Sequence, residues 1–203
     1  MLSALRAHQL QAVGLSGVDA ELLTARRRPP VNVVDDAGHS SVVDYGHVGD
    51  IMNVDPRVLT TLMEARFVPV VASLAGDNDG NVYNVNADTV AETIAIALRA
   101  QKLIYLTGVP GVLRDPKDPA SLVTFADPDD LASLMATGAL SGGMRPKVEA
   151  CIRAATGGVE RTHIVDGRVP DSLLLEVFTG AGTGTMIVGR KEKATYLGVD
   201  LAD

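Results

Sequence analysis

The chain has 203 residues, 46% hydrophobic and 21% charged, which excludes intrinsic disorder, collagen and coiled coil and leaves room for one sizeable core or two small lobes. A net charge of −7 argues against a nucleic-acid or anionic-membrane binder, which presents a basic face. A single cysteine, Cys151, no apolar run near the ~18 residues of a membrane span and no signal-peptide pattern after Met1 lead to the expectation of an aliphatic-cored cytoplasmic protein, without nucleic acid or membrane as partner.

Residues 11–15 read as a strand ending at Ser16-Gly17, and 31–34 with 41–45 as a hairpin around the turn Asp35-Asp36-Ala37-Gly38. Asp55-Pro56 predicts an N-cap with proline at the first helical position, followed by the apolar stripe Val58, Leu59, Leu62 and Met63. Residues 67–73 (FVPVVAS) are continuously apolar, as in a strand covered on both faces, and 76–80 form a polar turn. A helix runs from about Asp88 with Val90, Ile94 and Leu98 on one face, then a strand over 102–106 and a loop at 116–119 (PKDP). Asp127-Pro128 caps a helix closed by Gly138, Pro146 opens another ended by Gly157-Gly158, 161–165 is a strand and 173–178 a helix. Residues 190–203 are a polar tail. Strand–helix alternation at this spacing predicts parallel βαβ units in an α/β layer fold.

In open α/β sheets ligands bind beyond the carboxyl ends of strands, and four places qualify. Residues 106–113 (LTGVPGVL) follow a strand, and their small side chains allow backbone N–H groups to approach phosphate or a nucleotide; the segment reads equally as a tight turn. Ser141-Gly142-Gly143-Met144-Arg145-Pro146-Lys147 puts a lysine in a helix's first turn, the wrong charge for the dipole, and on a Gly-Gly turn this favours an anion site over a solvated surface lysine. Asn84-Val85-Asn86-Ala87-Asp88 sits at a loop-to-helix junction where either Asn86 or Asp88 reads as a plain N-cap, although three short polar side chains exceed what one cap requires. In Gly46-His47-Val48-Gly49-Asp50-Ile51 a lone histidine in a turn reads as structural.

Other signals fail. The run 180–185 (GAGTGT) follows a helix and lacks G-x-G-x-x-G spacing, no P-loop occurs, and Ser16 is not in a G-x-S-x-G elbow. His8, His39, His47 and His163 never come within helical metal-ligand spacing, so no protein metal site is expected.

Taken in order, these segments resemble the amino-acid kinase family, most closely its members that act on N-acetyl-L-glutamate in arginine biosynthesis. The matching residues are 12–17 (AVGLSG), 46–49 (GHVG), 69–73 (PVVAS), 84–88 (NVNAD), 106–113, 142–147 and Gly184-Thr185-Met186, collinear over residues 5–188. NVNAD discriminates most. The resemblance implies a three-layer αβα sandwich with a mainly parallel central sheet, in which 1–72 are the remainder of a substrate-binding lobe and 73–203 a nucleotide-binding lobe. It implies ATP-dependent phosphorylation of the γ-carboxylate of N-acetyl-L-glutamate, with Mg²⁺ held by the nucleotide, and a homo-oligomer when complete. By position, Asn84 and Asn86 bind substrate, Asp88 holds catalytic lysines in place and Lys147 neutralises charge between the β- and γ-phosphates. Thr107, Gly108, Val109, Pro110, Gly111, Val112 and Leu113, with Ala139, Leu140, Ser141, Gly142 and Gly143, line the nucleotide site.

Three departures accompany the match. The family's opening strand with its lysine and paired glycines, its Gly-Gly substrate loop and its substrate-binding arginine have no counterpart here, and Met1–Leu5 aligns with the interior of a family helix, so roughly the first third of the family's length is expected to be missing. Gly108 stands where an aspartate is usual, and Arg145 replaces an aliphatic residue. The alternatives are a non-catalytic nucleotide-binding remnant, and a kinase of the same fold for another carboxylate or carbamate, which NVNAD argues against.

Overall fold

The chain divides into two units, residues 1–90 and 91–203, each described by itself. The structure is a computed structural model and describes residues 1–34, 38–140, 142–179, 182–189 and 193; the predicted turn residues Asp35, Asp36 and Ala37, the predicted nucleotide residue Ser141, Gly180, Ala181 and the tail other than Lys193 lie outside the described residues.

The first unit contains α1 (Leu2–Ala7), β1 (Ala12–Ser16), β2 (Leu23–Arg27), β3 (Val31–Val34), β4 (Ser40–Val43), β5 (Gly49–Val54), α2 (Arg57–Glu64), β6 (Val68–Ala72), β7 (Leu74–Gly76), β8 (Val82–Asn84) and the start of α3 (Ala87–Ala97). β1 and β6 pair in parallel, Ala12 opposite Val68 through Ser16 opposite Ala72. A four-stranded sheet has the order β5-β2-β7-β8, and β3-β4 form the predicted hairpin. Its core holds Leu22, Leu23, Ala25, Leu59, Ala75 and Tyr83.

Four strands of this unit, β2, β5, β7 and β8, depart from expectation. β2 carries Arg26 and Arg27, which face away from the core: Arg27 pairs with Asp44 at 2.7 Å, and the following Arg28 with Asp50 at 2.6 Å. β5 begins at Gly49, read above as part of a turn; a Cβ there would stand 2.7 Å from Tyr83 Cβ, so that glycine serves packing. Helix α2 starts one residue later than predicted, with Pro56 as its cap, while the Asp55 carboxylate still accepts the Arg57 N–H at 3.1 Å. The sequence-read lobe boundary at 72/73 falls between β6 and β7, inside this unit.

The second unit contains β9 (Lys102–Thr107), β10 (Phe125–Ala126), α4 (Pro128–Ala136), α5 (Met144–Thr156), β11 (Arg161–Asp166), α6 (Ser172–Phe178) and β12 (Thr185–Val188). The sheet order is β10-β12-β11-β9; β9/β11 and β10/β12 are parallel and β11/β12 antiparallel. Successive β11 side chains point to opposite faces. Ile164 joins the core that α4 and α5 cover through Leu131, Val148, Cys151 and Ala154, while His163 contacts Glu176 of α6, so three layers form. Asp127 and Asp130 close a capping box on α4. Helix α5 starts at Met144, two residues before the predicted Pro146, since proline is tolerated in a first turn whose N–H groups have no partner within the helix.

Helix α6 is inside out. Ser172 and Glu176 are buried, whereas Leu173, Leu174, Leu175 and Phe178 are exposed. Its inward face is set by hydrogen bonds: Glu176 meets His163 Nδ1 at 2.8 Å and accepts N–H groups of Thr183 at 2.6 Å and Gly184 at 2.9 Å. Burial opposes ionisation of Glu176, but these bonds outweigh it and hold its carboxyl below the usual range. Among the described residues no helix is long and apolar enough to cross a membrane.

Candidate active site

Parallel pairing places the carboxyl ends of β9 and β11 side by side, with Asp166 opposite Thr107. The chain leaves β9 at Thr107, whose hydroxyl donates to the Val109 carbonyl at 2.8 Å and accepts the Val109 N–H at 3.1 Å, folding the loop over its own first turn. At Gly111 φ is +151°, and a Cβ would meet Thr185 Oγ1 at 2.6 Å and Leu122 Cδ1 at 2.9 Å, so this position requires glycine. Val112 is fully buried, and its N–H and carbonyl are bound by Thr185 Oγ1 and the Val123 N–H, both at 2.8 Å.

The result is a mostly apolar cavity of about 160 Å³ lined by Val109, Gly111, Leu113, Pro116, Ala139, Leu140 and Met144. Five of the seven were predicted from sequence; Pro116 and Met144 were not, because nothing local announces that they close on the loop. Thr107 and Val112 support the loop and do not line the cavity. Neither do Gly108, Pro110, Gly142 and Gly143, and an added Cβ at Gly108, Gly142 or Gly143 would meet no heavy atom within 4 Å. Hollows of about 640 and 450 Å³ elsewhere on this unit, along α4 and beside Val159, contain none of the predicted residues, so size does not choose the site.

Helix α5 begins at the predicted glycine pair. Gly142 has φ +56° and Gly143 is the N-cap, with no side chain capping the first amides. Lys147 lies in this first turn, half-buried, with its Nζ 5.1 Å from the centre of the Tyr105 ring on β9. Arg145 is exposed and pairs with Glu149 at 3.1 Å, an ordinary surface pair one turn along.

Asp166 and Arg168 form the rim beyond β11. Arg168 donates to Asp166 through Nε at 2.9 Å and Nη2 at 2.8 Å, and its backbone N–H at 3.0 Å completes the clamp, which holds the Asp166 carboxyl down to about 2.

The remaining predicted residues belong to the first unit. Asn84 ends β8, is exposed, and gives its backbone N–H to the His47 carbonyl at 2.8 Å. Its neighbour Asn86 is the N-cap of α3, its side-chain oxygen accepting the Thr89 N–H at 3.1 Å. Asp88 is half-buried in the first turn of α3. The His47 side chain is exposed, and the residue's place is set by its carbonyl. Among the described residues no group of three or more His, Cys, Asp or Glu side chains could hold a metal ion.

Comparison with known proteins adds to this geometry. The amino acid kinase family profile matches residues 1–166. The acetylglutamate kinase of Myxococcus xanthus is 53% identical over 93% of this chain and 61% of its own length. That of Methanothrix thermoacetophila is 45% identical over 92% of this chain and 63% of its own. Among solved structures, N-acetylglutamate synthase from Neisseria gonorrhoeae, complexed with coenzyme A and N-acetyl-glutamate, superposes with a TM-score of 0.75 at 27% identity, over 92% of this chain and 40% of that one. The chain therefore spans somewhat over three fifths of the length of these curated relatives.

Proposed function

The chain belongs to the amino acid kinase family, and from that premise we propose that the protein transfers the γ-phosphoryl group of ATP to the γ-carboxylate of N-acetyl-L-glutamate, a step of arginine biosynthesis. The observation that carries this reading is a family match through NVNAD and the β9 loop, together with relatives named acetylglutamate kinase at 53% and 45% identity.

The chemistry suits a site without a catalytic histidine. A carboxylate with pKa about 4 is ionised at neutral pH, so the nucleophile needs no general base. One carboxylate oxygen attacks the γ-phosphorus, the bond from that phosphorus to the β–γ bridging oxygen breaks, and ADP departs with the electron pair. The protein's task is positioning and charge stabilisation.

In this reading the cavity bounded by Val109, Gly111, Leu113, Ala139 and Leu140 takes the nucleotide's apolar base. Thr107, Gly108, Pro110 and Val112 shape the loop around it, and Ser141, Gly142 and Gly143 offer backbone amides to the phosphates. Lys147 places its ammonium between the β- and γ-phosphates, Asp88 orients the catalytic lysines, and Asn84 with Asn86 binds the polar groups of N-acetyl-L-glutamate. Mg²⁺ travels with the nucleotide and offsets phosphate charge when bound. Residues 1–72 are the remainder of a substrate-binding lobe and 73–203 a nucleotide-binding lobe that also lends Asn84 and Asn86 to the substrate. The working protein is a cytoplasmic homo-oligomer that binds neither nucleic acid nor membrane.

The test is incubation of the protein, as its source cell makes it, with MgATP, hydroxylamine and candidate acids. Hydroxamate formed with N-acetyl-L-glutamate and not with glutamate or carbamate supports the proposal. Hydroxamate from another acid, or MgATP binding with no hydroxamate at all, overturns it.

A further inference from the structure

We infer that Tyr105 is a positioning residue for Lys147, its ring face holding the ammonium for the phosphates, an inference that rests on the reading of Lys147 given above. The Nζ-to-centroid distance of 5.1 Å lies inside the ~6 Å within which a ring face attracts a cation.

The ring has little freedom to be elsewhere. Tyr105 is 6% exposed, points with Leu103 to the α5 side of β9, and belongs to the same core cluster as Val148, Ala150 and Cys151 of α5. The helix above it is anchored as well: Arg153 binds the buried Glu92 through Nη2 at 2.7 Å and Nε at 2.8 Å. Strand and helix are both held by packing, and Lys147 carries its charge on a flexible four-carbon stem beside the ring. An aromatic face attracts that charge without neutralising it. The chain is only 3% aromatic, and one of its rings lies under this lysine, two residues before the loop begins.

The test replaces Tyr105 with Phe and then with mono-, di- and trifluorinated phenylalanines in the protein as its source cell makes it. MgATP affinity, kcat with N-acetyl-L-glutamate, and Tm are measured for each, with Lys147→Ala alongside. Fluorine withdraws charge from the ring face and leaves its shape nearly unchanged, so a merely structural ring leaves every value level across the series. The expected result is that Phe stays within roughly twofold of Tyr, each fluorine weakens MgATP binding and kcat by about twofold, and Tm does not follow the trend. Level affinity and kcat across the series, with Lys147→Ala defective, overturn the role of Tyr105 and leave the function standing. Undiminished MgATP affinity and turnover in Lys147→Ala overturn the roles of Lys147 and Tyr105 together and leave the function standing, whereas a parent protein with no turnover overturns the function itself.

Discussion

The Thr185 hydroxyl at the head of β12 accepts the backbone N–H of Val112 at 2.8 Å, and both residues are fully buried. Their 73-residue separation makes this single bond the tie between the loop after β9 and a strand on the far side of β11.

Thr185→Val keeps the shape of the side chain and removes the acceptor, leaving the Val112 N–H buried without a partner. The expected loss is about 1–3 kcal/mol of stability, with weaker MgATP binding because the cavity wall is released. Thr185→Ser restores most of both. Denaturant unfolding and nucleotide titration of the three proteins check this.

Gly111→Ala is expected to be more disruptive locally, since its Cβ would enter the Thr185 hydroxyl and the Leu122 side chain at a φ that L-residues avoid. A loss of about 1–3 kcal/mol is predicted from overpacking. By contrast Gly108→Asp, into open space, is expected to change stability by less than about 0.5 kcal/mol. Parallel thermal melts separate the two glycines.

Asn86 supports two assignments that one pair of variants can separate. As the cap of α3 it tolerates Asn86→Asp, whereas Asn86→Ala costs about 1 kcal/mol. If Asn86 also binds N-acetyl-L-glutamate, the aspartate variant keeps the stability and raises KM for the acid substrate. Unchanged KM in Asn86→Asp leaves the residue a cap alone.

The Asp166–Arg168 clamp predicts a pH dependence with a definite sign. A carboxyl held near 2, against an ordinary 3.8, binds fewer protons in the folded protein than in the unfolded chain across that interval. Its stabilisation is therefore complete above about pH 4 and is lost as pH falls through about 2. Arg168→Ala is expected to raise the Asp166 pKa toward 3.8, with a stability difference from the parent that is present at pH 5 and closes on acidification. Side-chain carboxyl NMR titration reads the pKa directly.

Much of the second unit was legible from local chemistry. The apolar strand running into LTGVPGVL, the glycine pair before Lys147 and the Asp127-Pro128 cap are short-range signals, and each appears where its residue types require it. The first unit was harder. β2 hides behind arginines, of which Arg27 and Arg28 find their partners Asp44 and Asp50 far along the sequence, and the glycine that opens β5 is explained by the side chains of Tyr83 and Ala25 packed against it. Helix α6 runs against the usual pattern because its buried Glu176 answers to His163 and to the amides of Thr183 and Gly184. Pro116, Met144 and Thr185 escaped notice as site residues because their roles arise from closure of the chain on itself.

The most direct measurement of the central claim follows oxygen. N-acetyl-L-glutamate labelled with ¹⁸O in both γ-carboxylate oxygens is turned over with MgATP, and hydroxylamine then attacks the acyl carbon of the product, releasing inorganic phosphate for mass analysis. Attack by the carboxylate on the γ-phosphorus predicts phosphate carrying one ¹⁸O. Phosphate without label, formed at the same rate with or without the acid, would mean that the protein only hydrolyses ATP and would contradict the account.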